Sequence, residues 1–265
     1  MSRRSTIRDV ARAAGVSTVT VSRVINEPPL VQPATRERVE RAMRDLGYVP
    51  NAAARSMRTN LTRSIGCILP DIVNYPNAAI AQHAERAFAA AGHSLLLANS
   101  GYDPAAEVRA IESLVARGVD GLLLYVSDER DDALRATLSR VGVPCLLLDR
   151  DLPVAADLLL SDHAGAMRET VRMLAALGHR RIALVAAGLA IRPVRERRAA
   201  FLEGAAAAGI PPDGAVVIEV PPEDRHRQTA ARDLLGGRDR PTAIVVEGGR
   251  QVAAVLSAAR AVGLS

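Results

Sequence analysis

The sequence predicts a small all-α headpiece followed by a larger α/β domain with parallel sheets, and three observations carry that expectation. At 265 residues the chain exceeds a lone helical module and can bury a full α/β core beside one. Apolar residues recur at helical spacing as far as Leu46, whereas from Ser64 onward short apolar runs alternate with helical stretches, the pattern of βαβ units. Charge divides the chain at the same place: residues 1–63 carry 12 arginines against 5 acidic residues, and residues 64–265 carry 22 against 24. The whole basic excess lies in the headpiece, where a polyanion would be met.

Within the headpiece, Ile7, Val10, Ala11 and Ala14 fall on one helix face behind Thr6, a candidate N-cap, and Gly15 ends that helix. Ser17 caps a second helix whose inward face is Val21, Val24 and Ile25, while Thr18, Val19, Ser22, Arg23 and Asn26 point outward. Two short helices joined by a glycine turn make a helix-turn-helix. Pro33 opens a third helix with Val39, Ala42, Met43 and Leu46 on its apolar side and Gly47 as its stop. Asn51 begins an Ala-rich segment too short to order alone, and residues 59–63 read as a polar linker. Beyond it, strands are expected at 65–70, 94–98, 119–126, 144–149, 181–186, 215–220 and 242–246. Helices near 78–91, 104–117, 131–141, 164–177, 194–208, 225–235 and 250–262 fill the gaps, and Gly118, Gly142 and Gly178 suit left-handed helix ends.

Several function classes are excluded. No stretch of eighteen apolar residues could cross a membrane, and no charged-then-apolar leader precedes the headpiece, so a cytoplasmic protein is expected. Cys67 and Cys145 each sit in an apolar run, which argues against a disulfide framework or metal knuckle. The five histidines show no metal-ligand spacing and read as surface or capping residues. There is no GxSxG, HExxH or GxGxxG motif, and with no lysine in the chain there is neither a Walker lysine nor a Schiff-base amine. No cofactor, metal or enzymatic activity is expected.

The chemistry of the second helix points to DNA. Arg23 can donate two bonds to guanine O6 and N7, Thr18 and Val19 suit base edges and thymine methyls, and Ser17, Thr20, Ser22 and Asn26 suit phosphate oxygens. The segment TIRDVARAAGVSTVTVSRVIN, with YVPNAAARSMR after it and GHRRIALVAAG further on, resembles the lactose and galactose repressor (LacI/GalR) family of bacterial regulators. The resemblance implies the same base- and phosphate-contacting roles at those positions. It also implies a hinge helix over PNAAARSM that folds when two copies meet in the minor groove, with Met57 where the family usually has a leucine wedge. The DNA-contact set is therefore Thr6, Ser17, Thr18, Val19, Thr20, Ser22, Arg23, Asn26, Asn51, Ala54 and Met57. The expected partner is a near-palindromic double-stranded operator, bound by a homodimer or higher assembly.

For the larger domain the resemblance implies a periplasmic-binding-protein-like α/β fold in which two subdomains close on a small-molecule effector, a sugar or related metabolite. Residues following the strands are the candidates: Asp71, Asn74, Tyr125 and Asp149, with Asp162 at the crossover and Arg197 where the family commonly carries a ligand-contacting arginine. The expected domains are a headpiece at 1–50, hinge and linker at 51–63, and subdomains at 64–161 and 162–265. Where many relatives carry two aromatics near position 77 this chain has Asn77 and Ala78, and where they carry Asn-Asp it has Gly248 and Gly249. A stacking platform and a sugar-hydroxyl partner are expected to be missing. The family continues past the terminal GLS, so the second subdomain is expected to be incomplete, with weakened effector binding and dimerisation. Two other readings remain: a constitutive DNA-binding regulator whose second domain only dimerises, and a solute-binding protein, against which the headpiece argues.

Overall fold

The computed structural model describes residues 5–26, 28–49, 61–220 and 227–264, and the chain divides into two compact units, Met1–Thr62 and Arg63–Ser265. In the first, helix α1 (Ile7–Ala14) starts at a capping box: Thr6 N donates to Asp9 Oδ2 at 2.9 Å while Asp9 N donates to Thr6 Oγ1 at 3.4 Å. Gly15, at φ 65°, takes the left-handed conformation that ends α1 and turns the chain into α2 (Thr18–Asn26). Ser17 Oγ accepts from Thr20 N at 3.1 Å, so the second helix is capped as its sequence implies. After a 3₁₀ turn at Pro28–Leu30, α3 (Pro33–Asp45) closes the bundle. Val10, Val21 and Val39, all fully buried, bring one side chain from each helix to the centre. Burial of each stabilises the headpiece by about 1.5–3 kcal/mol.

The second unit holds two parallel sheets. Strands β1 (Ser64–Leu69), β2 (Ser94–Asn99), β3 (Gly121–Leu124), β4 (Cys145–Leu148) and β5 (Asp157–Leu159) pair in the order β2-β1-β3-β4-β5. Helix α4 (Tyr75–Ala90) covers one face, packing Ile80, Ala84 and Phe88 on Cys67, Leu69, Leu123 and Leu148. Helices α5 (Pro104–Ala116) and α6 (Asp132–Leu138) cover the other, with Ile111, Leu114 and Leu134 on Ile68, Leu122, Leu124 and Leu147. Neighbouring residues of one strand thus face opposite layers, which is why the central strands β1, β3 and β4 carry continuous apolar runs instead of alternating. Gly66 has no room for a side chain, since a Cβ there would lie 2.7 Å from Leu122 Cδ2 and 2.9 Å from Leu114 Cδ1.

The second sheet joins β6 (Ile182–Ala187), β7 (Ala215–Val220) and β8 (Ala243–Val246) in the order β7-β6-β8. Helices α7 (His163–Ala176) and α8 (Arg192–Ala207) cover one face through Val171, Phe201 and Ala205. Helices α9 (Arg227–Gly236) and α10 (Gly249–Ala261) meet through Leu235 and Ala258 beside Ile244 of β8. In both sheets the first strand of the sheet lies between its successors, so the chain reverses direction across β1 and across β6. A crevice opens at the carboxyl ends of the strands at such a reversal.

Several expected elements are corrected. The short strand β5 has no counterpart in the sequence reading: its three residues are all exposed, so no run of buried residues marks it, and only pairing with β4 makes it a strand. Helix α4 begins at Tyr75, three residues before the expected start, because Pro76 fits its first turn. The expected strand 119–126 contracts to Gly121–Leu124, the part that pairs with β1 and β4. Gly118 and Gly178 are left-handed, but Gly142 is not. Cys67 and Cys145 are free thiols buried in the first subdomain, where loss of hydration pushes Cys67 up to about 12.

Candidate functional site

The outward face of α2 is the first candidate. Val21 and Val24 bury at 0% and 4%, which rotates Thr18, Val19 and Arg23 into solvent, Val19 as an apolar side chain 59% exposed. An exposed valine beside a guanidinium has no role in the headpiece core, and that pair is free to meet an edge carrying methyl groups and acceptors. Some of the predicted polar contacts also serve the fold. Asn26 Nδ2 donates to Ser22 O at 2.7 Å, Ser17 and Thr20 share a hydroxyl contact of 3.0 Å, and Thr6 Oγ1 donates to Asp9 at 2.7 Å. Asn51, Ala54 and Met57 lie outside the described residues.

The second candidate is a cavity of about 300 Å³ between the two subdomains of the larger unit. Its walls come from the carboxyl ends of strands and the first turns of the following helices: Asn74, Pro76 and Asn77 after β1, Tyr102 after β2, Tyr125 after β3, and Asp149 and Arg150 after β4. The second subdomain supplies Leu189, Pro193 and Arg197 after β6, and Glu247, Gly248 and Gln251 after β8. Of the six predicted effector residues, the structure brings Asn74, Tyr125, Asp149 and Arg197 to this cavity. Asp71 and Asp162 are not among its lining residues. The first accepts from Val73 N at 3.0 Å in a turn, and the second caps α7 by accepting from Gly165 N at 2.7 Å.

A chain of polar side chains crosses the cavity. Asp149, left-handed at φ 49°, accepts from Ser161 N at 2.7 Å and from Ser161 Oγ at 3.1 Å, and its Oδ1 lies 3.1 Å from His163 Nε2. His163 Nδ1 lies 3.0 Å from Arg197 Nη2, and Arg197 Nη1 lies 3.9 Å from Glu247 Oε1. Burial alone would raise the Asp149 carboxyl, but the Ser161 donors and His163 together hold it below its ordinary value. Burial, with the Arg197 charge beside it, keeps His163 low against the pull of Asp149, so the imidazole favours its neutral form. Glu247 is pushed up to about 7 by burial, against the Ala187 N–H and Arg197, which favour its anion.

Sequence reasoning missed four charged or titratable residues in or beside this site, of which Arg150 and Glu247 line the cavity. His163, read as a surface or capping residue, is instead an internal link, with 12% of its side chain exposed. Arg150, 1% exposed, lies 4.1 Å from the centroid of the Tyr125 ring and donates to the carbonyls of Val126 and of Asp149. Glu129 accepts from Asp151 N at 3.0 Å and Arg192 N at 2.9 Å and pairs with Arg195, joining the β3 loop to the start of α8. Glu247 stood beside the two glycines singled out in the sequence, and a carboxylate directly after a buried strand was the available signal. Tyr102, on the loop after β2, also lines the cavity. Among the described residues no group of three or more His, Cys, Asp or Glu could hold a metal ion, and no helix is long and apolar enough to cross a membrane.

Comparison with known proteins accounts for both halves of the chain. The family of bacterial regulatory proteins of the lacI type matches residues 6–51, and that of periplasmic binding proteins and the sugar binding domain of the LacI family matches residues 62–265. The chain is 30% identical over 264 residues to the HTH-type transcriptional regulator DegA of Bacillus subtilis, covering 98% of this chain and 78% of that protein. It is 32% identical over 242 residues to the HTH-type transcriptional repressor PurR of Photobacterium profundum, covering 91% of this chain and 72% of that one. Among solved structures, the lac repressor dimer bound to operator and the anti-inducer ONPF superposes with a TM-score of 0.85 at 29% identity, covering 99% of this chain and 79% of that one. The complex of the transcriptional regulator CelR with cellobiose gives 0.67 at 31%, covering 99% and 80%.

Proposed function

The chain belongs to the lacI family of bacterial regulatory proteins, and from that premise we propose that it reads a two-fold symmetric DNA operator as a dimer and answers to a small, hydroxyl-rich effector in its cleft. The observation that carries the proposal is the exposed face of α2, where Thr18, Val19 and Arg23 stand free on a helix whose other side is buried. Arg23 supplies the bidentate guanine contact, and Thr18 and Val19 meet neighbouring base edges. Ser17, Thr20, Ser22 and Asn26 position the headpiece on phosphates, joined by Thr6 at the start of α1. Asn51, Ala54 and Met57 engage the minor groove, Met57 as the apolar wedge. The site of action is the cytoplasm, where the operator is.

Effector control follows from the cleft walls. Asn74, Tyr125 and Asp149 come from one subdomain and Arg197 from the other, so a ligand touching both favours one closure over another. That difference in affinity is what links effector to operator. The polar cleft supports an effector site over a purely dimerising scaffold.

The test is selection of genomic fragments by the purified protein, followed by footprinting and gel shift over a salt series. The expected result is a near-palindromic site, bound by two chains, with affinity falling steeply as salt rises. Occupancy of one asymmetric half-site by a single chain would overturn the proposal.

A further inference from the structure

One polar group in the cleft is only half used by the fold. Glu247 follows β8, lines the cavity, and has a side chain 2% exposed. Its Oε2 accepts from Ala187 N at 2.7 Å, but Oε1 finds no hydrogen-bond donor among the described residues. Among the described residues the cation paired with it is Arg197, whose Nη1 is 3.9 Å away, beyond hydrogen-bonding distance. A buried acceptor left without a donor is costly, and its place in a cavity wall points to a donor that arrives from outside.

The partners of Arg197 narrow the chemistry of that donor. The Arg197 guanidinium can only donate, so His163 Nδ1 accepts from Arg197 Nη2 at 3.0 Å and the neutral imidazole carries its proton on Nε2, which lies 3.1 Å from Asp149 Oδ1. Arg197 Nη1 is left facing Glu247 Oε1 across the gap. A hydroxyl oxygen about 2.8 Å from each would bridge them, accepting from the guanidinium and donating to the carboxylate. A phosphate or carboxylate oxygen can accept from Arg197 but brings no proton, and its lone pairs would oppose those of Glu247. Without Glu247, the cleft would suit an anion: Arg197 is joined there by the start of α10, which has no side-chain cap.

We propose that Glu247 is a specificity-determining residue of the cleft, which with Arg197 holds one hydroxyl of an uncharged sugar or polyol and turns away acidic analogues. The proposal rests on the reading of the cleft as an effector site. It also makes selectivity depend on protonation, because a neutral Glu247 can donate to an acid. Glu247 rises to about 7, and the charged groups facing it are Arg197 on α8 and Glu219 on β7.

The test compares the full chain with Glu247→Gln by thermal shift and calorimetry. The probes are D-glucose, D-galactose and D-ribose against D-glucuronate, D-galacturonate and D-ribonate, whose carboxylates stay ionised throughout. At pH 8 the native protein should prefer at least one sugar over its acid by tenfold or more, and the variant should shrink that ratio at least tenfold. The native protein at pH 5.5 should move the same way, an arm that does not depend on the variant folding. A sugar preference that is identical in both proteins and at both pH values overturns the role of Glu247 alone. A native preference for the acids at pH 8 does the same. No response to either set by either protein overturns the effector reading, and this proposal with it.

Discussion

Replacing Glu129 by alanine should destabilise the larger unit by about 2–4 kcal/mol, the cost of leaving two part-buried backbone donors without their acceptor. The Glu129 side chain is 4% exposed and is the acceptor for two backbone donors, Asp151 N at 3.0 Å and Arg192 N at 2.9 Å. Alanine would strand both, at about 1–2 kcal/mol for each part-buried donor left unpaired, and would also remove the charge facing Arg195. The Arg195 side chain is 53% exposed, so water screens that pair and it adds little. Glu129→Gln isolates the two contributions. Its carbonyl oxygen can still accept from the backbone donors, so it should cost only about 1 kcal/mol. For a unit of this size each kcal/mol lowers Tm by about 2–4 °C, which places the alanine variant roughly 4–16 °C below the parent. Urea unfolding followed by circular dichroism measures the difference. An alanine variant within about 1 kcal/mol of the parent would mean that water replaces the carboxylate at no cost, and that Glu129 is not a clamp.

Arg23→Ala should weaken operator binding by about 1–3 kcal/mol and relax preference at one base pair; equal loss on every sequence in a binding-site selection would make Arg23 a phosphate contact. Thr6→Ala should cost the headpiece about 1 kcal/mol through loss of its capping box, measured by thermal unfolding, and an unchanged midpoint would show the cap to be idle. Glu247→Gln should alter the dependence of stability on pH. Because the folded value, about 7, exceeds the ordinary 4.5, Glu247 favours the folded state below pH 4.5 and that contribution is lost as pH rises toward 7. The glutamine form should therefore match the parent near pH 4.5 and exceed it by about 3 kcal/mol at pH 8; a gap that is the same at both pH values refutes the titration. Met57→Lys should weaken specific binding while leaving the headpiece folded, since a charged wedge must shed its hydration between base steps, and equal operator affinity in a gel shift would count against a wedge.

Much of the architecture was legible because its causes are local. The Thr6 cap, the Gly15 stop and the inward positions Val10, Val21 and Val24 follow from rules that reach no further than one helical turn, and the structure shows all of them. Seven of the strands followed from apolar runs, since a strand covered on both faces must be apolar along its length. The eighth, β5, is three exposed residues long, and the short run Leu158–Leu160 does not by itself specify a strand, because only its pairing with β4 makes it one. In the cleft, Asn74, Tyr125 and Asp149 were readable from their places just after strands, where a parallel sheet opens to ligand.

The sequence by itself therefore determined the helices and every strand but β5, where the positive charge collects, and that α2 turns Arg23 outward. Only the tertiary structure decided which distant groups meet. Glu129 reaches Arg192 and Arg195 across separations of 63 and 66 residues, and Ala187 N finds Glu247 across 60. His163 becomes a link between Asp149 and Arg197 because α7 and α8 pack together beside the end of β4. The physical reason is that a polar side chain takes its character from burial and from the partners brought to it. Glu129 and Glu247 are the same residue type in the sequence, yet in the fold both carboxylate oxygens of the first are engaged, while of the second only Oε2 meets a donor among the described residues.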